Sequence, residues 1–139
     1  MSATLYHVAT VLLTLALLGH TLGGMITTAR LGPRAGAPAD EVLAQMRSVQ
    51  FSWRGANSSW YAWWLGNGLG VSCLLVLAIA VLWFLGGLAP EQRHAAQPLA
   101  WAAFASLMLL GLTGIKYFGA RIGGIFTLIA LLTGVAACM

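Results

Sequence analysis

Four runs of about 20 or more mostly apolar residues leave this chain few folds to choose from. They cover 3–29, 59–88, 98–118 and 120–139. A helix rising about 1.5 Å per residue needs roughly 20 such residues to cross a hydrocarbon layer about 30 Å thick. An unpaired backbone N–H or C=O is very costly in lipid, so a crossing segment is either a helix or part of a closed barrel. The period-2 alternation of barrel strands is missing. The expected fold is therefore all-α: a polytopic four-transmembrane-helix bundle, one integral membrane domain over 1–139, with a long loop 30–58 between helices 1 and 2.

Composition excludes a soluble domain. Of 139 residues 60% are hydrophobic and 7% charged, against roughly 25% charged in an ordinary globular domain. Ten Asp, Glu, Lys and Arg side chains cannot cover a water-facing exterior of that size. The net charge of +4 does not point to nucleic acid, because the basic residues stand singly rather than along one face. Their distribution reads instead as topology. Arg30, Arg34, Arg47, Arg54, Lys116 and Arg121 flank one end of the spans and Arg93 alone the other. Under the positive-inside rule, loop 30–58 is expected on the cytoplasmic side of a cell (inner) membrane and both termini outside. The first apolar run is read as a retained span, since Met1 to His7 holds no Lys or Arg and the run exceeds a signal-peptide core.

Within the loop, Gly32, Pro33, Gly36 and Pro38 break the first helix. Asp40 to Val49 then has acidic residues in its first turn and apolar ones at Val42, Met46 and Val49, which predicts a short amphipathic helix at the interface or folded under the bundle. Either Ser58 or Ser59 can cap helix 2. Asn57-Ser58-Ser59 fits a glycosylation sequon but falls on the cytoplasmic side. Cys73 and Cys138 form no CxxC pair and no zinc spacing, so both are expected as small packing residues. Small residues four apart let membrane helices approach closely. Gly19 with Gly23, Gly66 with Gly70 and Gly119 with Gly123 are such pairs, and Gly119 marks a tight hairpin between helices 3 and 4.

Polar side chains at membrane depth are functional suspects. Counted from the first-loop side, His20 lies about nine residues in and Asn67 about eight, a shared depth of roughly 12–14 Å, so the two are placed to meet. Lys116 is shallower. Helical spacing groups Trp60, Trp64, Asn67 and Val71 on one stripe, Ser106, Thr113, Lys116 and Tyr117 on another, and His20, Gly23, Gly24 and Thr27 on a third. These stripes are expected to converge below the first loop. The plainer readings are a His20–Asn67 hydrogen bond between helices, a Lys116 that snorkels to the interface, and an aromatic belt of Trp53, Trp60, Trp63 and Trp64. No span contains Asp or Glu, so a carboxylate proton relay has no central residue. His7 and His20 are about 20 Å apart in rise on one helix and cannot share a metal; no metal site follows. Nor does the sequence contain a Gly-rich phosphate loop, a Ser-His-Asp set or HExxH, and it names no cofactor.

Leu18-Gly19-His20-Thr21-Leu22-Gly23, Met46, Val49-Gln50-Phe51, Ser58-Ser59-Trp60-Tyr61 and Gly66-Asn67-Gly68-Leu69 resemble a family of small bacterial four-helix membrane proteins loosely akin to the DoxX-like group. The resemblance covers the first half of the chain. It implies the same four-helix fold and marks these residues without naming a reaction. The chain departs from the pattern at Ala62, where the family carries an acidic residue, and at Asn67, where it carries an aromatic.

Two functions fit. The first is a module that binds, and by extension transforms, a lipophilic small molecule such as a lipid, quinone or terpenoid at the first-loop end. His20 is the candidate catalytic residue and Asn67 its orienter. Trp60, Tyr61, Trp64 and Tyr117 line the pocket, and Arg54 or Lys116 meets an anionic head group. The second is an accessory or scaffolding subunit whose glycine faces pack against a partner membrane subunit or a second copy. A channel is weaker, because helix 2 beyond Cys73 is almost unbroken apolar sequence. Membrane lipids are partners in either case.

Overall fold

A computed structural model of the chain describes residues 1–32 and 36–139, without the side chain of Trp53. Pro33 and Arg34, read above as a helix breaker and a loop cation, lie outside the described residues, as does the Trp53 side chain in the aromatic belt. Among the described residues the chain is all-α apart from one small hairpin. Helix α1 spans Ser2–Leu31, α3 Trp60–Gly87, α5 Gln97–Phe118 and α6 Ala120–Ala137, and all four are long and apolar enough to cross a membrane. The protein is a multi-pass membrane protein, with span boundaries within about two residues of those expected. Two short helices, α2 Ala37–Ser48 and α4 Pro90–Ala95, and two strands, β1 Gln50–Trp53 and β2 Ala56–Ser59, complete it.

The chain divides into two compact units, Met1–Ala16 with Leu75–Met139, and Leu17–Leu74. In the first, Tyr6, Ala9 and Leu13 of α1, Leu82 and Leu85 of α3, Ala100 and Leu107 of α5, and Phe126, Ile129 and Ala130 of α6 are buried. Helices α5 and α6 pack backbone against backbone. A Cβ at Gly111 would stand 2.5 Å from the Thr127 hydroxyl, and one at Gly114 2.9 Å from the Gly123 Cα. The hairpin expected near Gly119 is present, and Gly119 turns the chain with φ of 91°. Two buried threonine hydroxyls are satisfied within their own helix: Thr10 donates to the Tyr6 carbonyl at 2.8 Å and Thr133 to the Ile129 carbonyl at 2.9 Å.

The second unit begins with a π-helical stretch, Gly19–Ile26, inside α1. Three glycines in six residues (Gly19, Gly23, Gly24) weaken the ordinary α winding there. The wider turn is closed at Thr27, whose N–H and hydroxyl both donate to the carbonyl of Leu22, five residues back. Helix α2 occurs where the amphipathic pattern predicts it, but its face is rotated. Leu43 is buried, whereas Val42 and Val49 are exposed.

The hairpin is a feature the apolar pattern did not reveal. Gln50 pairs with Ser59, Phe51 with Ser58, Ser52 with Asn57 and Trp53 with Ala56. Arg54 and Gly55 form its two-residue turn with φ of 50° and 84°, the paired positive values that match the twist of adjacent strands. Of the two proposed caps, Ser59 serves, accepting from the Ala62 N–H at 3.1 Å. The cysteines depart from expectation. Both are free and exposed rather than packed, which costs little where the surroundings are lipid and a thiol behaves as a small apolar group.

Candidate functional site

His20 is the second residue of the π-helical stretch, half-buried, with Nε2 3.0 Å from the carbonyl oxygen of Gly68 on α3. A carbonyl can only accept, so Nε2 carries the hydrogen. In the neutral ring Nδ1 is then an acceptor, and it has no hydrogen-bond partner among the described residues. One turn further along α3, Ser72 shares a 2.8 Å hydrogen bond with Thr21 and donates to the same Gly68 carbonyl at 3.2 Å. The absent side chain at Gly68 matters: a Cβ there would run into the Met25 thioether, which covers the glycine. Histidine, threonine and methionine thus reach α3 because the backbone at 68 is bare.

The estimate of a common depth for His20 and Asn67 agrees with a contact at the very next residue, but the expected His20–Asn67 pair does not form. Asn67 is exposed and donates through its amide to the Trp63 carbonyl, 2.9 Å away on its own helix. Adjacent helix positions differ by about 100° in direction, so a histidine facing Gly68 cannot also face Asn67. The Gly19–Gly23 and Gly66–Gly70 pairs also stand apart from expectation. A Cβ at any of the four would meet nothing within 4 Å, so they leave an open small-residue face rather than an internal contact.

Later in the chain, Arg47 fastens the loop to α1 and α3. Arg47 donates to the Ala29 carbonyl at 3.2 Å and lies 4.6 Å over the Tyr61 ring. Tyr61 and Trp64 stack at 5.8 Å and are half-buried. Phe51 of the hairpin lies 5.0 Å from Trp60, which meets Trp63 edge to face at 5.9 Å. Trp60 and Trp63 are about half exposed, as expected of an aromatic belt. Arg54 is exposed at the hairpin tip.

The α5 stripe belongs to the other unit. Ser106, Thr113, Lys116 and Tyr117 are exposed there, and the Lys116 ammonium lies 5.1 Å over the ring of Tyr117. The buried face of α5 is Ala100, Leu107, Gly111 and Gly114 instead, so this stripe does not turn inward to join a buried polar centre. The close glycine seam with α6 takes precedence over the polar pattern.

Two polar features of the first unit lie outside the site the sequence predicts. One is His7, whose ring stacks 4.8 Å from Trp83 and lies against Gly86, with Nδ1 buried and without a partner. The other is a cavity of about 90 Å³ where the start of α1 meets α4 and α5. Ser2, Tyr6, Arg93, His94 and Gln97 supply its polar lining. The signal for it was present in the lone Arg93, read above only for topology, with His94 beside it. No group of three or more His, Cys, Asp or Glu that could hold a metal occurs among the described residues. No family model matches this chain, and neither a curated protein nor a solved structure is found to match it.

Proposed function

We propose that residues 17–74 bind a lipophilic small molecule carrying a hydroxyl or carbonyl group, of the kind found in lipids, quinones and terpenoids. The observation that carries this reading is the His20 ring fixed through Nε2 to the Gly68 carbonyl, with Nδ1 left unpartnered in a π-helical turn. A polar atom without a partner in a membrane-spanning helix gains most from a ligand that hydrogen-bonds it, and π-helical turns recur at functional sites. Nδ1 accepts from a ligand hydroxyl in the neutral ring and donates to a carbonyl in the charged one. Tyr61 and Trp64 flank the ligand, with Trp60, Trp63 and Asn67 as the outer wall. Arg54 meets an anionic head group where the ligand has one. Kinship with the DoxX-like group, and an inner-membrane orientation with the first loop cytoplasmic, form part of the same proposal. The test is retention of a co-purified small molecule, read by mass spectrometry of solvent extracts. His20→Ala is expected to abolish retention and Asn67→Leu to lower it. Unchanged retention in both variants would overturn the proposal.

A second reading, an accessory subunit seated on a partner membrane helix or a second copy, is favoured by the open faces at Gly19, Gly23, Gly66 and Gly70. It predicts a stoichiometric membrane protein, or a second copy of the chain, that co-purifies and is lost in Gly66→Leu.

A further inference from the structure

We infer that the cavity at the start of α1 is a binding site for a phosphate or carboxylate group, separate from and independent of the His20 site. Its cation is Arg93. The guanidinium is half-buried, donates through Nε to the Leu88 carbonyl at 2.8 Å and through Nη1 to the Ser2 hydroxyl. These two bonds fix its plane and leave three of its five N–H donors unused. No carboxylate pairs with it among the described residues, although Glu91 stands two positions away on the same short helix. A half-buried charge without a counter-ion is costly, and an incoming anion removes that cost.

The rest of the lining suits the same occupant. Tyr6 is only 2% exposed, lines the cavity, and its hydroxyl has no hydrogen-bond partner among the described residues. His94 adds a ring N–H, and Gln97 is held in place by its 3.0 Å bond to the Ala137 carbonyl. The polar side chains of the lining thus offer donors and include no acidic one, and Ala136 and Ala137 at the end of α6, with Met139 just after it, complete it. A volume of about 90 Å³ is several times the roughly 10–15 Å³ that one water requires. That is room for a four- or five-atom anionic group but not for a whole lipid. Ser2 and Gln97 begin two of the spans, so the site lies at the depth where lipid head groups reside. An acidic lipid head group and a free phosphate share the chemistry the site recognises.

The test uses the full-length protein in nanodiscs of phosphatidylcholine. Native mass spectrometry measures retention of added phosphatidylglycerol, and a thermal-shift titration with sodium phosphate measures free anion. Wild type is expected to retain phosphatidylglycerol, to be stabilised by phosphate, or both. Retention of phosphatidylglycerol alone identifies a lipid head-group site, and stabilisation by phosphate alone identifies a free-anion site. Arg93→Gln is expected to weaken the response about tenfold or more. Tyr6→Phe keeps the packing and is expected to weaken it severalfold, which guards against an Arg93 variant that misfolds. Arg121→Gln, at the start of α6, is expected to leave it unchanged. Equal loss in Arg121→Gln and Arg93→Gln would reduce the effect to surface charge and overturn the site. So would a wild type that responds to neither probe, or a Tyr6→Phe protein indistinguishable from wild type.

Discussion

The seam between α5 and α6 can be tested by adding one methyl group. Gly123→Ala drives a Cβ into the Ile115 backbone nitrogen and places it 2.5 Å from the Gly111 carbonyl oxygen and 2.5 Å from Cγ1 of Ile115, where ordinary contact begins at 3.4 Å. The shortfall is at least 0.9 Å, the difference between those two distances, and the Ile115 nitrogen and Gly111 oxygen are both backbone and cannot rotate away. The two helices must therefore separate by about that much, and gaps of 0.5–1 Å forfeit roughly a quarter to a half of each dispersion contact along the seam. Overpacking of this kind costs about 1–3 kcal/mol, offset by about 0.5–1 kcal/mol because alanine loses less backbone entropy than glycine. The net expectation is a loss of about 1–2 kcal/mol, roughly a 5- to 30-fold fall in the folding equilibrium. Gly124→Ala, one residue on, meets nothing within 4 Å and is expected to be neutral or to gain up to about 1 kcal/mol. Reversible unfolding in mixed micelles of increasing dodecyl sulfate fraction, followed by far-ultraviolet circular dichroism, measures both. If the two variants unfold at the same dodecyl sulfate fraction, α5 and α6 are not held at glycine distance and the packing described here is wrong.

Two further perturbations address features the apolar pattern concealed. His7→Phe removes a buried Nδ1 that has no partner while keeping an aromatic ring against Trp83; an unmet buried polar group costs about 1–3 kcal/mol, so the variant is expected to be more stable by about 1 kcal/mol in the same assay, and a loss of stability would mean that Nδ1 is bonded in the membrane. Arg54→Gly replaces a side chain held at φ of 50° in the hairpin turn and is expected to slow proteolysis of the loop severalfold, since relief of a strained turn position gives about 1 kcal/mol; faster cleavage would show that the Arg54 side chain, not the turn, orders the loop.

The four spans were legible because lipid imposes a rule that length and apolarity nearly satisfy by themselves: about 20 residues, all backbone groups paired internally. The hairpin at 50–59 was not, because its signal is short and lies next to a helix start. Arg54-Gly55 is a weaker turn signal than Asn-Gly, and the strands carry Ser52, Asn57, Ser58 and Ser59 rather than a β-branched alternation. Helical faces were the least legible part. Polar stripes on α3 and α5 were real as spacings, yet in a membrane a helix is pulled together with its neighbour by close packing more than by hiding polar groups. The bare positions therefore set the rotation. Gly111, Gly114 and Gly123 take the inner face of α5 and α6, which leaves Thr113 and Lys116 outside. At the candidate site the same preference seats Met25 on Gly68 and draws His20 to the carbonyl of that glycine, so the ring misses Asn67 by a single residue. A count along a helix fixes height, and the smallest residue at that height fixes direction.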